Sequence, residues 1–209
     1  MIRSGRPRKD EEASRRERLL EQAVRLFGEQ GYGGLSLETF ARESRVSLRT
    51  VYSQFGGKAG LFGAVVRQCS DRFAAALPVD GRNAAPLETT LVEFGREYLY
   101  RLTRPELIRL RAQIMAEALR FPELASEFYS QGPGRTLNHL ARFFEQRQRA
   151  GGIGRDFDPR FLAGQFLNAL RGERFQRLQL GMDAVPSEDE VKSWATEAVG
   201  LFLRGCLVD

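Results

Sequence analysis

The sequence predicts an all-α fold of about nine helices, on three observations. Apolar residues recur at three- and four-residue spacing through most of the 209 residues. No run alternates apolar and polar residues between turn signals, as a half-buried strand would. Pro105, Pro122 and Pro159 each fit the first turn of a helix, where a missing N–H costs nothing.

The elements follow in chain order. Residues 1–13 read as a basic, flexible arm. From Ser14 the pattern turns helical, and Leu19, Leu20, Ala23, Val24 and Phe27 share one face. The glycine-rich segment 28–34 is expected to stop this helix. Ser36 then caps a short second helix, with Glu38 in its first turn and Leu37, Phe40 and Ala41 on its apolar side. Ser44, Arg45, Val46 and Ser47 make a tight turn, and Ser47 opens a third short helix from Leu48 to about Phe55. Gly56 and Gly57 break it, and a fourth helix runs from near Lys58 to Leu77. Residues 78–86 form a linker rich in Gly, Pro and Ala. Helical stretches at about 87–102, 105–120, 122–150, 159–180 and 187–207 complete the chain. Gly132, Pro133 and Gly134 either split the third of these or are absorbed by it. Ser187 and Glu190 have the spacing of a capping box. The division expected is an N-terminal unit over 14–62 and a larger helical unit over 63–209.

Composition narrows the class. The chain is 42% hydrophobic and 28% charged, ordinary globular values. It lacks a membrane-length apolar run and an apolar leader, so a cytoplasmic setting is expected. Cys69 and Cys206 are too few for a disulfide framework and sit in apolar contexts, as buried small hydrophobes do. The net charge of +5 is uneven. Residues 1–62 carry 12 Lys and Arg against 8 Asp and Glu; the rest carries 20 against 19. Such asymmetry fits an anionic partner at the N-terminal part, or a solvated arm.

The three short N-terminal helices, with a tight turn between the second and third, match a helix-turn-helix arrangement. In that geometry the third helix sets its first residues into the major groove of DNA. Here Ser47, Leu48, Arg49 and Thr50 come first, and Val51, Tyr52 and Phe55 follow. Arg49 suits bidentate pairing to guanine O6 and N7. The hydroxyls of Ser47, Thr50 and Tyr52 suit phosphate oxygens. Lys58 adds a cation at the start of the fourth helix, where the dipole already favours an anion.

The stretch from Arg18 to Val66 resembles the DNA-binding domain of TetR-family transcriptional regulators (TetR/AcrR type). The residues that carry the likeness are Leu26-Phe27, Gly31-Tyr32, Ser36, Ala41, Ser44, Val46-Ser47, Thr50-Val51-Tyr52, Phe55, Lys58 and Leu61-Phe62. The sequence departs from the pattern at Arg45, where glycine is common, at Ser53 and Gln54, where aromatic residues or His are common, and at Ala59, where an acid is common. The resemblance implies a homodimer on a palindromic or near-palindromic double-stranded DNA operator. It implies repression relieved by a small molecule bound in a C-terminal ligand-binding and dimerisation domain, with no cofactor. The dimer would form from the last two long helices, which carry Phe161, Leu162, Trp194 and Phe202. The fourth helix, joining the two domains, is the lever expected to carry the change.

An effector cavity between helices is mostly apolar with a few polar groups. Its candidates are Phe94, Tyr98, Met115, Phe128, Tyr129, Phe143, Phe144 and Phe166, with Arg111, Gln113, Asn138, His139 and Asn168 as polar candidates. Ordinary core is the alternative for each aromatic. The composition favours a hydrophobic effector. His139, the only histidine, has no companions at metal-ligand spacing, and no catalytic constellation is present, so neither a metal site nor an enzyme is expected. Residues 4–9 resemble the Gly-Arg-Pro core of AT-hooks, so Arg6 and Arg8 either enter the minor groove or add phosphate attraction. Two readings stay open beside the ligand-released repressor: an architectural DNA-binding protein without a ligand, and an activator.

Overall fold

In the computed structural model the chain folds into ten helices among the residues described, which are 9–77, 85–154 and 156–205. The N-terminal four are α1 (Lys9–Gly34), α2 (Leu37–Glu43), α3 (Leu48–Phe55) and α4 (Lys58–Ala75). After the linker come α5 (Leu87–Leu102), α6 (Pro105–Glu117), α7 (Pro122–Gln131) and α8 (Pro133–Arg149). The last two are α9 (Pro159–Gln179) and α10 (Glu188–Arg204). The all-α reading holds. The expected stretch at 122–150 is two helices, because Gly132 leaves helical geometry (φ −114, ψ −99) and Pro133 starts a new first turn. The caps at Ser36, Ser47 and Ser187 form as expected, the last as a full capping box with Glu190. Asp158 adds a cap that was not foreseen, accepting a hydrogen bond from Phe161 N at 2.9 Å.

The first helix differs from expectation at its start and ends inside the glycine-rich segment expected to stop it. It starts at Lys9 rather than Ser14, so residues 9–13 belong to a helix and not to the arm. At its far end it runs through Gly28 and breaks only at Gly31 (φ 74, ψ 169). Gly28 is there for close approach: a Cβ on it would stand 3.2 Å from the Glu106 carbonyl oxygen of α6. Gly31 supplies the left-handed residue that L side chains resist.

Two hydrophobic cores form. The first gathers Ala23 and Phe27 of α1, Phe40 of α2, Val51 and Phe55 of α3, and Leu61 and Phe62 of α4. The rings of Phe27, Tyr32 and Phe62 meet at centroid separations of 5.5–6.0 Å, in the edge-on and offset arrangements that aromatic pairs favour. This core does not close within 14–62. Leu110 and Ile114 of α6 and Leu124 of α7 belong to it, so the body of the protein completes the N-terminal unit. The second core lies among α5, α8, α9 and α10, around Phe94, Phe144, Phe166, Leu170 and Val199. Fully burying an aliphatic or phenyl side chain contributes roughly 1.5–3 kcal/mol, so each core is a substantial stabilising unit.

Candidate DNA-reading face and effector cavity

Local hydrogen bonds define the ends of α2 and α3. The Ser36 hydroxyl oxygen accepts from Thr39 N at 3.1 Å, and the Ser47 oxygen accepts from Thr50 N at 3.0 Å. The two helices are joined by a Schellman turn. Val46 N donates to Ala41 O at 3.0 Å and Arg45 N to Arg42 O at 3.1 Å. That turn places Arg45 in the left-handed region at φ 53, the one non-glycine there among the described residues. Glycine's usual place in this turn is thus filled by a strained arginine.

Val51 and Phe55 bury one side of α3 in the first core, and the opposite side is open. Arg49, Tyr52, Ser53 and Gln54 are exposed, and Leu48 and Thr50 half-buried. Arg49 has no hydrogen-bond or ion-pair partner among the described residues. At the far end of α3 the Arg16 guanidinium lies 4.8 Å from the Phe55 ring centroid and donates to Gln54 O at 3.4 Å, tying α3 to α1. Ser36 and Ser47 are engaged as caps, and Ser47 Oγ also meets Thr50 Oγ1 at 2.7 Å.

Lys58 differs from the expectation of a cation facing phosphate. Its Nζ donates to Gly33 O at 3.3 Å and lies 4.8 Å from the Tyr32 ring centroid. Burial lowers its pKa, while the charge of Glu117 acts the other way. The Glu117 carboxylate in turn accepts from Gly33 N at 3.3 Å. The end of α1, the start of α4 and the end of α6 are therefore tied together at one point. Arg6, Arg8 and Cys206 lie outside the described residues.

A cavity of about 570 Å³ opens between the two cores, bounded by α4 to α9. That size is within the common range for small-molecule sites. Of the aromatic and Met candidates, Tyr98, Met115, Phe128 and Tyr129 line it. Phe94, Phe143, Phe144 and Phe166 do not, and this corrects the sequence reading. They are at most 1% exposed and pack on one another and on α10, with Phe144–Phe166 at 6.0 Å and Phe166–Phe202 at 5.0 Å. Their helical positions point to the second core instead of the gap between cores. The sequence reading missed much of the wall: Val66, Cys69 and Phe73 of α4, Leu110 and Ile114 of α6, and Leu167 of α9. No local signal separates these from core residues. Burial pushes the Cys69 thiol and the Tyr98 phenol up, so both stay protonated at neutral pH.

Among the polar candidates, Arg111 and Asn168 line the cavity and the other three do not. His139 meets Leu77 O at 2.9 Å, Asn138 accepts from Arg160, and Gln113 packs beside Gly31. Arg171, not foreseen, also lines it. Its Nε donates to Leu167 O at 3.1 Å and its Nη2 to Asn168 Oδ1 at 2.9 Å. Arg111 Nε is buried without a hydrogen-bond partner.

For the expected dimer face, Leu162 and Trp194 are corrected. They are 4% and 7% exposed and belong to the second core of their own chain. Phe202 is half-buried against Phe144 and Phe166. Phe161 is exposed, and so is Leu201, which the sequence reading did not single out. Around them are exposed Gln165, Gly172 and Gln176 on α9, and Ser193, Thr196 and Glu197 on α10, with Arg174 of α9 paired to Glu197 at 3.8 Å. Among the described residues no cluster of potential metal ligands occurs, and no helix is long and apolar enough to cross a membrane.

A helix-turn-helix head with an open third helix, set on a helical body with an apolar cavity, defines a DNA-binding transcriptional regulator. Comparison with known proteins gives the family. Residues 19–65 match the N-terminal model of the bacterial regulatory proteins of the tetR family. Residues 89–205 match the AefR-like transcriptional repressor C-terminal domain. The chain belongs to the TetR family. The flavonoid-responsive regulator FrrA is 30% identical and superposes with a TM-score of 0.68, over 93% of this chain and 98% of that one. A TetR-family structure from Mesorhizobium loti is 28% identical with a TM-score of 0.77, over 94% and 98%. YezE of Bacillus subtilis, a transcriptional regulator, is 30% identical over 139 residues, 63% of this chain. The chain spans 61% of YezE, and 29% of another curated repressor that it matches.

Proposed function

We propose that the protein is a homodimeric, sequence-specific repressor released from its operator by a small, largely hydrophobic effector. The observation that carries this reading is the shared framework of head and cavity. Helices α4 and α6 wall the cavity and also complete the core on which α3 rests. An occupant that shifts α6 therefore acts on α1 and α4 through the Glu117–Gly33–Lys58 tie. The shift in operator affinity is bounded by the effector's differential affinity for the two conformations. FrrA, similar over nearly its whole length, is by name responsive to flavonoids, which supports an apolar effector here. The match to a repressor-type C-terminal domain supports repression.

In the dimer, the open stripe on α9 and α10 meets its copy, with the exposed Phe161 and Leu201 as apolar contacts. Two-fold symmetry would then present two α3 helices at one-turn spacing on DNA, about 34–36 Å or a multiple. Arg49 reads a base edge, Ser36, Ser47, Thr50 and Tyr52 contact phosphates, and Leu48 offers its side chain to a thymine methyl. Arg6 and Arg8 add phosphate or minor-groove contacts. The protein acts in the cytoplasm, where its operator lies.

The test is fluorescence anisotropy on the duplex upstream of the protein's own gene, at two salt concentrations, beside a scrambled duplex and Arg49→Ala. Tight binding to the native duplex alone, with base preference lost in Arg49→Ala, is the expected result. Equal binding to both duplexes, removed by salt, would favour an architectural protein instead.

A further inference from the structure

Among the described residues two guanidiniums line the cavity, and no side chain there supplies a counter-charge. Arg111 lies on α6 and Arg171 on α9, and both line a space whose other walls are mostly apolar. No Asp or Glu lines it among the described residues. Arg111 has no hydrogen bond at all there, its Nε is buried, and the Phe128 ring centroid stands 6.0 Å from its Cζ. Arg171 reaches only a backbone carbonyl and the Asn168 amide oxygen, both neutral acceptors. Partial burial and then the neighbouring Arg171 charge lower the pKa of Arg111, while Tyr98 acts the other way. An unpaired buried cation is costly, and in proteins such groups are paired or hydrogen-bonded.

We propose that the effector is an amphipathic monocarboxylic acid, its carboxylate held between Arg111 and Arg171 and its apolar body against Phe128, Ile114 and Leu167. This rests on the effector reading above and deepens it. A carboxylate accepts from the terminal N–H groups of Arg111 and from the N–H groups of Arg171 that the protein leaves free, in the charge-assisted geometry guanidinium favours. A neutral ligand of the same shape would leave both cations unmatched. Aliphatic and aromatic acids share this chemistry.

The test is isothermal titration calorimetry on the full chain with two matched pairs. Octanoate is compared with 1-octanol, and 2-naphthylacetate with 2-(2-naphthyl)ethanol. In at least one pair the acid is expected to bind about tenfold tighter or more, the return of one charge-assisted contact of roughly 1.4 kcal/mol. The pair that shows the preference identifies the body as aliphatic or aromatic. In Arg111→Met the preference should fall to about onefold while the alcohol still binds, which shows that the variant is folded. In Arg111→Lys part of the preference should survive. Acid and alcohol binding equally in the wild type would overturn the carboxylate assignment and leave the hydrophobic effector reading standing. An acid preference unchanged in Arg111→Met would overturn it too. Failure of every member of both pairs to bind would overturn both readings.

Discussion

Arg45→Gly should make the protein more stable. Arg45 sits at φ 53 in the Schellman turn between α2 and α3, and its turn hydrogen bonds are backbone only. An L residue in the left-handed region costs about 1–2 kcal/mol. Glycine removes that cost but gives the unfolded chain more freedom, an opposing effect of about 0.4–1 kcal/mol. The balance is a gain of about 1 kcal/mol. In a chain of this size such a gain raises Tm by roughly 2–4 °C. Arg45→Ala separates backbone strain from the loss of an exposed charge, because alanine keeps the strain. Urea unfolding followed by far-UV circular dichroism reads the difference as a higher midpoint at unchanged slope. The expected order is Arg45→Gly above Arg45→Ala, with Arg45→Ala close to the wild type. If Arg45→Gly unfolds at or below the urea concentration for Arg45→Ala, the claim that this turn is strained is refuted.

Three other perturbations separate the roles assigned here. Lys58→Met should lose its contacts to Gly33 O and the Tyr32 ring and destabilise by about 1 kcal/mol, seen as a lower Tm; the salt slope of DNA binding should stay the same, and a slope reduced by about one would return Lys58 to the phosphate face. Leu201→Glu should turn the dimer into monomer in sedimentation velocity and abolish tight operator binding, whereas an intact dimer would remove the α9–α10 stripe from the interface. Gly28→Ile should force α1 from α6, because a Cβ alone already stands 3.2 Å from Glu106 O; overpacking of this kind costs about 1–3 kcal/mol, and an unchanged melting curve would show that the two helices part freely.

How much was legible varied with the range of the interaction. The α2–α3 unit could be read almost residue by residue, because its signals are local. Ser36 and Ser47 cap the helices they precede, and Val51 and Phe55 follow from helical spacing. The arginine in place of the turn glycine was visible as a departure, and only coordinates showed that the left-handed geometry is kept. The end of α1 was legible only as a segment, since Gly28 and Gly31 look alike in sequence. One serves the approach of α6, a partner far along the chain, and the other a change of backbone direction.

The aromatic residues mark the limit. Tyr98 and Phe94 share a face of α5, yet Tyr98 reaches the cavity and Phe94 is sealed in the second core. Leu162 and Trp194 look as apt for a partner as Phe161, yet they face inward. By itself the sequence determined most of the helices, their serine caps, the open third helix and the family resemblance, because these depend on residues a few positions apart. Only the tertiary structure decided which apolar faces meet, that α6 completes the N-terminal core, and that two arginines from α6 and α9 share one cavity. Burial is nearly non-directional: it requires that an apolar face be covered and leaves the choice of partner to the packing of the whole chain.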